Sequence, residues 1–119
     1  MLNTPAGDVM LHGDRSQLLK GTLDVALLTL LRGGDDYGQA LFARLVDAGL
    51  PSVADASVYG ALRRLERDRL LTSELVPSND GPARKYYGLT STGRSAEQAG
   101  REAWEELVTA MARLMGGRP

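Results

Sequence analysis

The chain has 119 residues, of which 43% are hydrophobic and 24% charged, the balance of a soluble globular domain with a single core. The absence of cysteine excludes a disulfide framework, a thiolate metal site and a cysteine nucleophile, and no run reaches the ~18 apolar residues of a membrane span. A net charge of -1 argues against a protein that coats nucleic acid indiscriminately, yet the charge is uneven: residues 55–94 carry seven cationic and five anionic side chains.

Residues 1–15 mix Gly, Pro, Asp and Asn without a period and read as a mobile arm. Their start, "MLNTPAGDVMLHGDR", has neither a basic leader nor a continuous apolar segment, so cytoplasm is the expected compartment. The periodicity of Leu19, Leu23, Ala26, Leu27, Leu30 and Leu31 predicts a first helix from about Ser16 to Arg32, stopped at Gly33. A second helix, Tyr37 to Ala48, is expected to be capped by Asp35 or Asp36 and to turn Leu41, Phe42, Leu45 and Val46 inward.

"AGLPSVAD" interrupts the chain, after which Asp55 offers a cap for a third helix in "ASVYGALRRLERDRLL". At about 100° per residue, Val58, Ala61, Leu62 and Leu65 fall together, Gly60, Arg63 and Arg67 lie opposite, and Tyr59 and Arg64 take the flanks. One side of this helix is therefore neutral and the other basic. Two β-prone runs, Leu71–Val76 and Lys85–Thr90, flank "PSNDGP" and predict a hairpin whose loop exceeds a two-residue turn. Thr90 or Ser91 then caps a last helix to about Met115, with apolar positions Ala96, Ala99, Ala103, Trp104, Leu107, Val108, Met111, Leu114 and Met115 recurring at three and four residues. A domain this small leaves much surface exposed, so an apolar face without a cover in the chain favours a second copy.

Three helices, a hairpin and a long terminal helix are the order of a mainly α winged helix-turn-helix with a small β-hairpin and a C-terminal dimerisation helix. The expected division is an arm (1–15), a DNA-binding domain (16–90), a dimerisation helix (91–115) and a tail (116–119). Four ordered blocks, "LLKGTLDVALLTLLRGGDDYGQALFARL", "SVYGALRRLERDRLL", "RKYYGLTSTGR" and "EAWEELV", resemble the PadR-like transcriptional regulators over residues 18 to about 108. The resemblance implies a dimeric DNA-binding protein, usually a repressor, often released by a small aromatic or amphipathic effector. The chain departs from the family pattern at Gly60, where a proline is common, and at Ala54, where a capping serine is common.

On that reading the outward side of the third helix enters a major groove, where the planar fork of Arg63, Arg64 or Arg67 meets guanine or phosphate bidentately. The plainer alternative is a solvated face stitched by local pairs with Glu66 and Asp68. Ser57 and Tyr59 are hydrogen-bonding partners near the helix start, and Gly60 leaves room for a phosphate backbone. Arg84 and Lys85 form a wing tip, or else serve as edge-strand cations that discourage aggregation. Of Tyr86 and Tyr87, which alternate across the strand, one belongs to the core. Tyr37 holds a phosphate at the start of the second helix, or simply packs.

Trp104, with Val108 and Met111, is the candidate effector site, two indoles facing each other across a twofold as walls of an apolar slot. The bland alternative is a tryptophan filling the dimer core. The expected dimer interface comprises Ala99, Ala103, Trp104, Leu107, Val108, Met111, Leu114 and Met115. His12, the sole histidine, has no companion at metal spacing. No nucleophile set, nucleotide-binding glycine loop or zinc motif appears, so neither an enzyme nor a cofactor is expected. The alternative function is a winged-helix protein-interaction module whose basic face meets an acidic partner.

Overall fold

The structure, a computed structural model, describes residues 21–50 and 53–116. The arm, His12, Leu19 and residues 16–20 of the expected first helix lie outside the described residues, and Gly21, at φ 83°, forms a turn with Thr22, so the helix expected from Ser16 starts only at Leu23. Among the described residues, four helices and three strands follow in the order α1 (Leu23–Arg32), β1 (Asp36–Tyr37), α2 (Gly38–Asp47), α3 (Asp55–Arg67), β2 (Leu71–Ser78), β3 (Gly81–Leu89) and α4 (Ser91–Leu114). No helix among the described residues is long and apolar enough to cross a membrane.

One core holds the helices together. Leu27, Leu28 and Leu31 of α1, Leu41 and Leu45 of α2, and Val58, Ala61, Leu62 and Leu65 of α3 meet with Val53, Leu71 and Tyr87. Apart from Leu28, which the spacing does not assign inward, the helix residues are the i, i+3, i+4 positions that the sequence pattern gives to the inner faces, and their burial is what makes three short helices stable. Val46 is the exception. Its place one residue past Leu45 rotates it to the rim, where 36% of it stays exposed.

The structure corrects the sequence reading at three further points. Asp36–Tyr37 is a short strand, not the cap and first turn of a helix, and it pairs antiparallel with Tyr86–Tyr87 to give the order β1-β3-β2. The N-cap of α2 is consequently Tyr37, without a side-chain cap, while Asp36 accepts a hydrogen bond from the Tyr37 amide and pairs with Arg44 at 3.0 Å. The hairpin strands run further than the β-prone residues alone suggest, to Ser78 and from Gly81, so that only Asn79 and Asp80 connect them. Pro77 is accommodated because β2 is an edge strand and the register shifts between Val76 and Ser78, where a missing N–H costs no ladder bond.

The third correction concerns helix ends. Asp55 does not cap α3; Ala54 occupies the cap position without a side-chain hydrogen bond, and Asp55 lies in the first turn, where its charge favours the positive end of the helix dipole. At the other end the Leu70 amide donates to the Leu65 carbonyl at 2.9 Å and the Arg69 amide to the Glu66 carbonyl at 3.0 Å. That is a Schellman closure, and it forces Arg69 to φ 66°, the left-handed region that disfavours a side chain. Arg69→Gly is expected to raise unfolding stability by roughly 0.5–1 kcal/mol, the relief of left-handed strain outweighing the added freedom of the unfolded chain. An upward shift of the urea midpoint at unchanged slope checks it.

Thr90 caps α4 as expected, its Oγ1 accepting from the Gly93 amide at 2.9 Å while donating to the Arg69 carbonyl at 2.7 Å. One hydroxyl thus fixes the start of α4 to the end of α3. Gly93 sits directly against the Leu70 carbonyl, leaving no space for a Cβ, and Gly100 packs on Val25 of α1. The first half of α4 is thereby laid on the body, while the large apolar side chains of its second half are exposed.

Candidate DNA-binding interface

The buried side of α3 holds its outward side in place, because Val58, Leu62 and Leu65 are 0–2% exposed and admit only one rotation of the helix. Ser57, Arg63, Arg64 and Arg67 are exposed in consequence, with Tyr59 and Gly60 half-buried. The local carboxylates do not stitch the whole of this basic face. Glu66 turns to the hairpin, accepting from Ser73 Oγ at 2.5 Å and pairing with Lys85 at 3.2 Å. Asp68 takes Arg67 at 3.4 Å, a contact between adjacent exposed residues and so a weak one. Arg63 has no carboxylate partner among the described residues. Arg64 differs again: its two terminal nitrogens donate to both oxygens of Asp24 on α1, at 2.7 and 2.9 Å.

Gly60 has open space around the Cβ position, the nearest atom being an Arg63 nitrogen at 4.0 Å. Among the described residues nothing requires a glycine there, although a glycine in mid-helix costs about 1 kcal/mol relative to alanine. Gly38 is the opposite case: one edge of the Tyr59 ring occupies the place where its Cβ would be, so α2 and α3 approach closely there. Burial, and then Asp55, push the Tyr59 hydroxyl up from its ordinary pKa, leaving it a neutral donor.

The wing completes the surface. The Arg84 guanidinium stacks 4.6 Å from the Tyr37 ring centre, and Tyr37 in turn leans on Tyr86 with centroids 5.3 Å apart. Lys85 lies 5.4 Å from the Tyr87 ring, and its hydrogen bond to Glu66 raises its pKa. Glu66 is correspondingly lowered, first by the Ser73 hydroxyl and then by Lys85. Tyr37, Gly38, Gln39, Tyr59, Arg84, Lys85 and Tyr87 line an open cleft of about 300 Å³ at the start of α2. Two cations, three phenol rings and the first amides of a helix thus converge beside the basic face of α3, a combination suited to a polyanion. Of the tyrosine pair in β3, Tyr87 is the core member and Tyr86 is half-buried against Tyr37.

The sequence-predicted residues therefore fall into two groups. Tyr37, Tyr59, Arg84 and Lys85 come together around the cleft, and Ser57, Gly60, Arg63 and Arg67 follow the outer side of α3. Gly38 and Gln39 are additions with no signal in the sequence, since β1 alone decides that α2 begins there.

The second candidate surface is the far half of α4. Trp104, Leu107, Val108, Met111, Leu114 and Met115 are 39–80% exposed and form one apolar stripe. It prolongs the line on which Gly93 and Glu97 are buried. Ala103 borders the stripe, whereas Ala99 lies about 140° round the helix from Trp104 and so away from it. Glu97, which sequence reasoning missed, is 2% exposed, accepts from Thr29 at 3.4 Å and pairs with Arg32 at 3.7 Å and with Arg101.

Comparison with known proteins matches residues 27–99 to the family described as "Transcriptional regulator PadR-like family". A PadR-like transcriptional regulator from Bacillus cereus superposes with a TM-score of 0.77 at 30% identity, covering 86% of this chain and 99% of that one. A PadR family transcriptional regulator from Eggerthella lenta gives 0.77 at 31% identity, over 94% and 97%. The transcriptional regulator Rv3488 of Mycobacterium tuberculosis is 41% identical over 66 residues, 56% of this chain and 58% of that protein. The matched segment runs from the core of α1 through the wing to the buried start of α4, and with it the chain belongs to the PadR-like family of transcriptional regulators.

Proposed function

We propose that the chain is a homodimeric repressor that binds double-stranded DNA at a pseudo-palindromic operator in the cytoplasm, its two α3 helices entering successive major grooves about 34 Å apart. The observation that carries this reading is Arg63, an exposed guanidinium on the outer face of α3 with no carboxylate partner among the described residues, next to a mid-helix glycine for which the chain itself has no use. Ser57 and Tyr59 supply hydrogen bonds at the start of that helix, Arg67 a further cation, and Arg84, Lys85 and Tyr37 hold the flanking backbone. The interface is paired through the α4 stripe, which presents more contiguous apolar surface than a lone helix keeps in water without purpose.

Affinity comes mainly from phosphate neutralisation and specificity from the few side chains at base edges, so binding falls steeply with salt. Arg63→Ala is expected to weaken operator binding by about 1–3 kcal/mol. A titration at fixed salt, against duplexes selected from random sequence, checks it; unchanged affinity removes Arg63 from the contact set. Failure of the wild-type protein to prefer any duplex would favour a protein-interaction module instead.

Across the twofold, Trp104, Val108 and Met111 of each copy wall a slot for a flat aromatic or amphipathic effector, which releases the repressor by binding one crossing of the α4 helices more tightly than another. The support is a half-exposed indole at the head of the stripe, one turn before Val108. Quenching of Trp104 fluorescence accompanied by loss of operator binding tests the switch.

A further inference from the structure

Arg64 has the position of a DNA-facing cation but not its freedom. Its fork is closed on Asp24, a residue 40 positions earlier, by two short parallel hydrogen bonds. The pair joins the first turn of α1 to the last turn of α3, so each charge also favours the helix end on which it sits. At its other end α1 is tied to α4, because Thr29 and Arg32 meet the buried Glu97. Helix α1 is thus held at both ends, to α4 on one side and to α3 on the other. The flank of α3 that carries Arg64 faces α1, whereas the opposite flank, with Tyr59 and Glu66, faces the wing.

We propose that Arg64 is a positioning residue: with Asp24 it forms a strut that sets the angle of α3 against α1, and it contributes no phosphate contact. This rests on the DNA reading above. The buried apolar side fixes which face of α3 turns outward; the bidentate pair acts on what is left, the tilt of α3 against α1, and a few degrees there displace Arg63 and Arg67 relative to base edges. Loss of either partner should therefore weaken operator binding although neither touches DNA.

The test compares Arg64→Gln, Asp24→Asn and the double variant with the wild-type dimer in operator titrations over a range of salt, and in thermal unfolding. A strut predicts that both single variants weaken binding alike, by about fivefold, that the double variant is no worse than either, and that the slope of affinity against salt is unchanged. Arg63→Ala in the same series should lower that slope. The proposal is overturned if Arg64→Gln lowers the slope by about one while Asp24→Asn tightens binding, since Asp24 would then be masking a phosphate contact. If the wild-type protein prefers no duplex, the DNA reading fails by itself, and the strut is judged on unfolding: equal, non-additive losses of midpoint in the three variants support it, and additive losses overturn it.

Discussion

Val108→Glu is expected to leave the chain folded but single, and to abolish operator binding. Val108 lies in the middle of the α4 stripe and is 45% exposed in the lone chain, so a carboxylate there meets water and disturbs no packing of the core, which is built from residues 27–87. In a twofold pair the same position places two carboxylates in an apolar seam, where an unpaired buried charge costs several kcal/mol. A penalty of about 4 kcal/mol weakens dimerisation roughly a thousandfold. Sedimentation velocity at micromolar concentration should report one chain, and the thermal midpoint should lose its dependence on protein concentration. A variant that remains a dimer would show that the copies pair through another surface.

Gly93→Ala is expected to be the most damaging small substitution in the chain. The Cβ would fall on the Leu70 carbonyl, a backbone atom, with the Leu89 side chain also within 3.3 Å. Neither α3 nor α4 can yield easily, because Thr90 ties Arg69 and Leu70 to the first turn of α4 on one side and the core holds Leu71 and Tyr87 on the other. The overpacking should cost about 3 kcal/mol. A denaturant titration checks it, with a large fall in midpoint at constant slope. Little change would mean that the start of α4 can shift away from the body, and that the rigid connection between α4 and the wing is absent. The substitution adds only one methyl group and would raise helix propensity elsewhere, so the sign of its effect separates propensity from fit.

The legible part of the candidate site was its outer face. Arg63 and Arg67 could be placed opposite Val58, Leu62 and Leu65 because a helix converts spacing directly into direction, and α3 keeps that rotation once its apolar side is buried. Arg84 and Lys85, expected at the wing tip, lie instead within β3 opposite Val76 and Leu75, because the hairpin closes further out, over Asn79 and Asp80. What the spacing does not reveal is whether a cation is engaged. Lys85 with Glu66, and Arg64 with Asp24, are partners 19 and 40 residues apart, and no local pattern connects them. The same holds for Glu97, which reads as one more surface charge on α4 and is buried because it meets Thr29 and Arg32 of α1.

The amino-acid sequence by itself determined the helices, the inner faces, the apolar stripe of α4 and its Thr90 cap, since periodicity and capping act over a turn or two and need no distant partner. Only the tertiary structure decided that Asp36 and Tyr37 would be a strand, that the hairpin would close over Asn79 and Asp80, and that Arg69 would take a left-handed conformation. Each of these depends on hydrogen bonds or packing with residues far along the chain, where a neighbour's backbone outweighs local preference. The cleft beside α3 belongs to the same class: three segments converge on it, and no one of them contains it.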